Sequence, residues 1–318
     1  MKYIAICPQG LEDITQKELK ELLKVSSKII MPGRVLFETE QVQKLIVKTR
    51  SIIKIYTFVQ ECKAIQDIKP FPVVSPFRVV CSNKGGGEFS SQQIEKDVGA
   101  QFFAQGYSVD LKNPKTIVFV DVLDGRILVG VDCTPELLSR RKYRIKIHNQ
   151  SLNACIAYGL VRLSGYCGKK MLVDPFAKDG VIAIEAALYK KGNIIAYDAL
   201  FPHVKNVEVN ATLAHVRKDM TISRIEPEWL DTKFQDDEID FVVCAIPFVS
   251  KTQSEHEVRL LYKEFLAHLS YILHKKGRLV VIAPSLTLFK EMASSLKIVE
   301  ERSVSTSNLS YSVVVFKK

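Results

Sequence analysis

The 318-residue chain has no Cys-x-x-Cys pair, no Walker loop, no Ser-His-Asp arrangement and no apolar run near the ~18 residues that span a bilayer. Each absence removes a class of function. The seven cysteines (7, 62, 81, 133, 155, 167 and 244) are odd in number. Several sit inside apolar strand patterns such as Val79-Val80-Cys81 and Val242-Val243-Cys244. That pattern suits free thiols in a reducing compartment, neither a disulfide framework nor a zinc site. The histidines show no metal-ligand spacing with Cys or carboxylates, so no metal is expected. No signal-peptide pattern accompanies Met1-Lys2-Tyr3-Ile4, and the expected location is the cytoplasm, away from membranes. Internal repeats and low-complexity tracts are lacking as well.

What is present is ordinary for a globular protein, with 47% apolar and 25% charged residues. The length predicts two or three domains with ample core. Lys and Arg outnumber Asp and Glu by 45 to 35, and the excess is uneven. Residues 1–150 hold 23 basic and 16 acidic side chains, net +7, against 22 and 19, net +3, in the remainder. A basic amino-terminal half suggests a grip on a polyanion; the plain alternative is a soluble protein that is merely basic.

The periodicity predicts a strand at 3–7, an amphipathic helix carrying Leu11, Ile14, Leu19, Leu22 and Leu23, and a hairpin of 28–30 with 35–38 around Pro32-Gly33. A helix at 42–49 and a strand at 52–61 complete a small α+β unit of ferredoxin-like size. After a proline-rich loop come a strand at 77–82, a turn at Asn83-Lys84-Gly85-Gly86-Gly87, and a helix capped at Ser90-Ser91 that ends near 105. Strands 116–123 and 126–132 meet at Asp124-Gly125, a type I′ hairpin signal. From Lys170 strands and helices alternate: strands at 170–175, 193–198, 220–225, 240–246 and 278–283, helices at 180–190, 202–214, 254–274 and 286–295. A final pair, 297–304 and 310–317, turns at Ser307-Asn308. This is a doubly wound α/β sheet with a terminal hairpin.

Two loops carry the chemistry. Asp174-Pro175-Phe176-Ala177-Lys178-Asp179-Gly180 is a strand, a turn and a helix start. Backbone N–H groups and a positive helix end can meet a nucleoside and a carboxylate there, and Gly180 lets the backbone approach. An ordinary strand-to-helix turn explains the same residues. Asp198 ends the next strand, 24 residues after Asp174. That offset suits a ribose-binding acid; a solvated strand-end aspartate is the plain reading. Ala245-Ile246-Pro247-Phe248 ends a later strand, where an aromatic can stack on a base, and where a core aromatic is equally ordinary. Arg140-Arg141-Lys142-Tyr143-Arg144-Ile145-Lys146 holds five cations in seven residues. With Lys84, these are candidates for phosphate contacts, against the alternative of a solvated linker.

These residues resemble the THUMP-domain RNA methyltransferases over nearly the whole chain. Cys7-Pro8-Gln9-Gly10-Leu11-Glu12, Phe89-Ser90-Ser91-Gln92-Gln93-Ile94 and Val109-Asp110-Leu111-Lys112-Asn113-Pro114 match in the family's order. So do Ser139 to Arg144, Ser151-Leu152-Asn153, Leu163-Ser164-Gly165-Tyr166, Asp174-Pro175-Phe176 and Ile184-Glu185-Ala186-Ala187. The resemblance implies a ferredoxin-like domain (1–61), a THUMP RNA-binding domain (62–133), a basic linker (134–150) and a Rossmann-like class I methyltransferase domain (151–318). It implies S-adenosylmethionine as cofactor, tRNA or other structured RNA as partner, and transfer of methyl to the N2 amine of a guanosine. Asp174, Phe176, Ala177, Gly180, Asp198 and Glu226 are then the cofactor residues. Ala245, Ile246, Pro247 and Phe248 are the catalytic motif, and Lys84, Arg140, Arg141, Lys142 and Arg144 the RNA contacts. The chain departs from the family's pattern at Ala177, Lys178 and Asp179, where Cys-Gly-Ser is usual. It departs again at Ala245, where the family has Asn or Asp, and at Ile246. Three readings stay open: an active methyltransferase, alone or completed by a protein partner; a non-catalytic RNA-binding relative; and a Rossmann domain with another ligand.

Overall fold

The computed structural model describes residues 1–84, 89–306 and 309–318. The glycine turn expected at 85–87 and the Ser307-Asn308 turn lie outside the described residues. Two compact units account for the chain: Met1–Cys7 with Thr15–Leu138, and Pro8–Ile14 with Ser139–Lys318. Among the described residues no helix is long and apolar enough to cross a membrane.

In the first unit, β1 (Lys2–Ile6), β2 (Ser27–Met31), β3 (Arg34–Glu38) and β4 (Lys54–Thr57) form an antiparallel sheet ordered β2-β3-β1-β4. Strand alternation sends Tyr3 and Ala5 of β1 to one face. There they pack with Leu19 of α1 (Glu12–Leu23) and Leu45 of α2 (Val42–Lys48). Ile4 and Ile6 face the other way, against Phe119, Leu123 and Leu128 of a second sheet.

That sheet is ordered β5-β8-β7-β6, from β5 (Gln60–Cys62), β6 (Phe77–Asn83), β7 (Thr116–Leu123) and β8 (Arg126–Val131). β6 and β7 run parallel, joined through α3 (Ser91–Ala104), whose Ile94, Val98 and Phe102 cover the outer face. The Ser90 side chain caps α3 by accepting from the Gln93 N–H. Asp124 and Gly125 have φ of 49° and 72°, the left-handed pair that a type I′ hairpin requires.

The strand expected over 52–61 is two strands in two sheets. The Phe58 N–H goes back to Lys2 of β1, and the next N–H, from Val59, goes to Val129 of β8. A strand that changes sheets keeps its period of two, so hydrophobic alternation does not register the switch. Gly130 of β8 permits the close passage of the two chains there: a Cβ would come within 1.6 Å of the Thr57 carbonyl oxygen.

The second unit holds a seven-stranded sheet ordered β11-β10-β9-β12-β13-β15-β14. Its strands are β9 (Leu172–Asp174), β10 (Ile194–Asp198), β11 (Met220–Arg224), β12 (Ile239–Ala245), β13 (Leu273–Ala283), β14 (Lys297–Thr306) and β15 (Leu309–Lys317). β9 to β13 are parallel; β15 lies antiparallel between β13 and β14. Successive side chains of β12 serve opposite layers. Phe241 and Val243 join α4 (Ala154–Ser164), α5 (Val181–Tyr189) and α6 (Phe201–Leu213). Val242 and Cys244 join α7 (Glu255–Ile272) and α8 (Thr287–Met292). Helices on both faces of a mostly parallel sheet, with a terminal antiparallel pair, are the architecture the alternation predicts.

Candidate functional site

Strand order reverses at β9, which has β10 on one side and β12 on the other. The crevice at the carboxyl ends of these strands is where open α/β sheets bind ligands. Asp174, Asp198 and Ala245 end β9, β10 and β12, so the fold brings three of the expected site residues to one rim.

Asp174 is buried, and its Oδ1 accepts the Phe176 N–H at 3.2 Å. Burial pushes its carboxyl up to about 8, the Phe176 N–H opposes, and the nearby Asp198 charge adds to the rise. The folded chain thus keeps a proton that the unfolded chain, with an ordinary value of 3.8, has released. Stability therefore falls as pH rises from about 4 to about 8, and the penalty is complete above that window. Asp174→Asn removes the penalty while keeping the acceptor. Its thermal midpoint should exceed that of the parent, and by more at pH 8 than at pH 5. Equal midpoints at both pH values would mean that Asp174 titrates normally.

The loop after Asp174 turns inward. Phe176 packs edge-on against Phe265 of α7, with ring centroids 5.3 Å apart, and Ala177 is buried with its N–H on the Tyr197 carbonyl of β10. The side chains of both residues are therefore core, where cofactor contacts were expected. The apolar period of the strand continues through the loop and carries them inward. Lys178 takes a left-handed backbone, φ 53°, and its N–H donates to Asp198 Oδ2 at 2.8 Å. Its ammonium is half-buried beside Gln150 Oε1 at 3.3 Å. Asp179 is buried, and its Oδ2 receives the Arg144 guanidinium and the His148 N–H, each at 3.4 Å. Gly180, φ 80°, starts α5 so close to α6 that a Cβ would lie 2.7 Å from Val207. Only glycine fits that position without displacing α6.

Asp198 holds three donors: the Lys178 N–H on Oδ2, and on Oδ1 the Leu200 N–H at 3.0 Å and His203 Nδ1 at 2.9 Å. His203 in turn meets the edge of the His148 ring, centroids 4.9 Å apart. Both histidines are satisfied ones, without a metal-ligand arrangement among the described residues. The signal for His203 was available, because the first turn of the helix after a strand-end acid faces that acid. Glu226 lies just beyond β11, half-exposed and paired with Arg224 at 3.4 Å.

Across the rim, Ala245 ends β12 without a polar side chain, and Ile246 is buried in the core. The Pro247 carbonyl accepts the Tyr262 hydroxyl from α7. Phe248 packs partly against the same core and also lines a cavity of about 470 Å³ with Arg259, Tyr262, Pro284 and Glu291. Tyr262 and Arg259 lie on an amphipathic helix whose period gave no sign of a cavity.

The basic run is divided. Arg140 and Lys142 are exposed. Arg141, expected to meet phosphate, instead pairs through Nε with Glu185 at 2.9 Å, and Glu185 is fully buried in α5. The Tyr143 hydroxyl joins them at 2.8 Å. Arg144 bonds to Ser151 Oγ at 2.6 Å as well as to Asp179. These two arginines neutralise carboxylates that the fold has buried, so they are structural cations. Lys84 is exposed at the end of β6. Among the described residues no three His, Cys, Asp or Glu side chains are placed to hold a metal ion.

At this crevice, which the resemblance assigns to S-adenosylmethionine, three features work against that ligand. A carboxylate has about four acceptor positions, and Asp198 has already committed three where a ribose diol needs two. The loop adds a lysine near the carboxylates, and Ala245 offers no side-chain acceptor to a base.

A protein-family model described as an RMKL-like methyltransferase domain matches residues 141–313, and a THUMP domain model matches residues 50–132. A tRNA (guanine(6)-N2)-methyltransferase of Archaeoglobus fulgidus is 24% identical, covering 99% of this chain and 92% of that protein. One of the same name from Methanocaldococcus jannaschii is 29% identical over 229 residues, which span 58% of each chain. The crystal structure of TrmN from Thermus thermophilus superposes with a TM-score of 0.83 at 25% identity, covering 100% of this chain and 99% of that one.

Proposed function

From a chain that belongs to the RMKL-like methyltransferase family, and on that basis, we propose an RNA-binding protein of the guanine-N2 methyltransferase kind, whose ligand is tRNA or an RNA folded like it. The observation that carries this reading is the pairing in one chain of the THUMP match with a doubly wound methyltransferase sheet. The excess of cations in residues 1–150, with exposed Lys84, Arg140 and Lys142, supports the RNA half of it. We assign residues 1–61 and 62–133 as ferredoxin-like and THUMP portions, and 151–318 as the methyltransferase domain.

The reading has two forms: methyl transfer from S-adenosylmethionine to a guanosine amine, or RNA binding without it. The crevice favours the second. Orienting an amine toward a methyl donor needs a placed acceptor, and losing one costs on the order of 10²-fold in rate or more. Here Ala245 has no such side-chain group, and the Pro247 carbonyl, which already accepts the Tyr262 hydroxyl, has one lone pair left. A protein partner that completes the crevice is the route by which the first form is restored.

Filter binding of the full chain to a tRNA transcript and to an unstructured RNA of equal length tests the RNA reading, and tritiated methyl transfer tests the choice of form. We expect at least tenfold preference for the folded RNA, a steep fall in affinity with salt, and no label in N2-methylguanosine. Equal affinity for both RNAs would sink the RNA assignment. Turnover of order 1 s⁻¹, within the usual enzyme range, would select the catalytic form.

A further inference from the structure

The feature of the crevice that the reading above leaves unexplained is Lys178. It is a half-buried cation, in a left-handed backbone conformation, at the rim where the fold places its ligand. A non-glycine residue at positive φ is uncommon and persists only where its surroundings hold it. Here they do so on both sides. Its own N–H is fixed on Asp198 at 2.8 Å. The next residue, Asp179, is buried with its carboxylate on Arg144 and its main-chain carbonyl on Asn210 Nδ2 at 2.9 Å. The loop is thus pinned to β10, to α6 and to the segment at 144–148, and cannot swing out without exposing buried polar groups.

Charge points the same way. The ammonium lies within electrostatic reach of Asp174, Asp198, Asp179 and the Cys244 thiol, three carboxyl groups and a sulfur that converge from β9, the loop, β10 and β12. Burial works against its charge and these neighbours support it. A ligand entering from the rim meets the Lys178 charge beside carboxyl groups of which Asp174 keeps its proton below about pH 8, Asp179 is paired with Arg144 and Asp198 bears His203.

We propose that Lys178 is a built-in occupant of the cofactor crevice. Its main chain takes an Asp198 oxygen that a ribose hydroxyl would use, and its ammonium replaces a ligand's positive charge beside the carboxylates, so the crevice excludes S-adenosylmethionine. This rests on the assignment of the crevice under the proposed function, and on no part of the RNA reading. Lys178 is accordingly a specificity-determining residue acting against a cationic sulfonium. The neutral thioether S-adenosylhomocysteine meets the same steric and hydrogen-bond obstacles but lacks the sulfonium charge, so it is excluded less strongly.

Calorimetry on the full chain with the two ligands separates these contributions. Lys178→Asn keeps the N–H to Asp198 and a residue that tolerates positive φ, and it removes the charge. Lys178→Gly also frees the loop. The parent should bind S-adenosylmethionine weaker than millimolar and S-adenosylhomocysteine somewhat better. Lys178→Asn should raise affinity for S-adenosylmethionine by roughly 10- to 100-fold, the scale of a like-charge interaction with partial screening, and should raise S-adenosylhomocysteine less. Lys178→Gly should improve both. Micromolar binding of S-adenosylmethionine by the parent overturns the proposal. So does the absence of any gain in both variants, or an equal gain for the two ligands in Lys178→Asn. The tRNA measurement on the parent reports separately on the RNA reading, so either can fail alone.

Discussion

Replacing Asp121 with Ala should destabilise the first unit by about 3–5 kcal/mol, the usual cost of removing one partner of a buried ion pair. Alternation along β7 turns Val118 and Val120 toward α3 and Phe119 and Asp121 toward the first sheet. Asp121 is therefore buried between two sheets, where an isolated carboxylate is untenable. The Arg34 guanidinium from β3, itself buried, meets it through Nε and through Nη2, the latter at 2.7 Å, and the Tyr56 hydroxyl of β4 donates at 2.9 Å. Burial, then the Asp121 charge, drives the Tyr56 hydroxyl well above its usual range, so it stays a donor. Truncating Asp121 strands the Arg34 cation in a desolvated layer. A domain has only about 5–15 kcal/mol in total, so such a loss leaves the unit marginal. The triple replacement Arg34→Met, Asp121→Leu and Tyr56→Phe removes all the polar groups together and should recover most of the loss. Urea denaturation of the three proteins decides. A deficit below about 1 kcal/mol for Asp121→Ala would show that the pair is not desolvated.

The same cluster marks the limit of what the sequence makes legible. Thr116–Leu123 announces a strand by composition and by the Asp124-Gly125 turn, and the fold obeys. Nothing local says that both faces of that strand are covered, because the partners of Asp121 on the first sheet, Arg34 and Tyr56, lie 87 and 65 positions earlier in the chain. The alternation after Lys170 specifies the doubly wound sheet well, since each strand and helix declares its own period and chain order then restricts the topology. The crevice is partly legible for the same reason: the acids that end β9 and β10 are placed by the strands themselves. What those acids bond to is decided by loop backbone. The donation of the Lys178 N–H to Asp198, and of the Tyr262 hydroxyl to Pro247, follows from conformation rather than residue type. Strand 52–61 divides for a comparable reason, since a change of sheet partner leaves the side-chain period intact.

The basic run from Arg140 to Lys146 separates into two experiments with different outcomes. Counting charges treats its cations alike, yet a signal against that was present in α5, where Glu185 is the one charged residue in Val181-Ile182-Ala183-Ile184-Glu185-Ala186-Ala187. An acid in an apolar helix needs a cation, and Arg141 supplies it 44 residues earlier in the chain. Arg141→Ala should therefore lower the stability of the second unit by about 3–5 kcal/mol, because it removes the cation paired with the buried Glu185 carboxylate, which the neutral Tyr143 hydroxyl cannot replace. Arg144→Ala should cost less, since Asp179 keeps the His148 N–H. The pair Arg140→Ala with Lys142→Ala touches exposed side chains only and should leave the thermal midpoint unchanged. If those two cations meet phosphates, that double variant should lower the slope of log affinity for tRNA against log salt by about two units, roughly one per contact. Loss of RNA binding in Arg141→Ala at a temperature where the protein remains folded, with no loss in the exposed pair, would reverse the assignment and make the buried arginine the RNA contact.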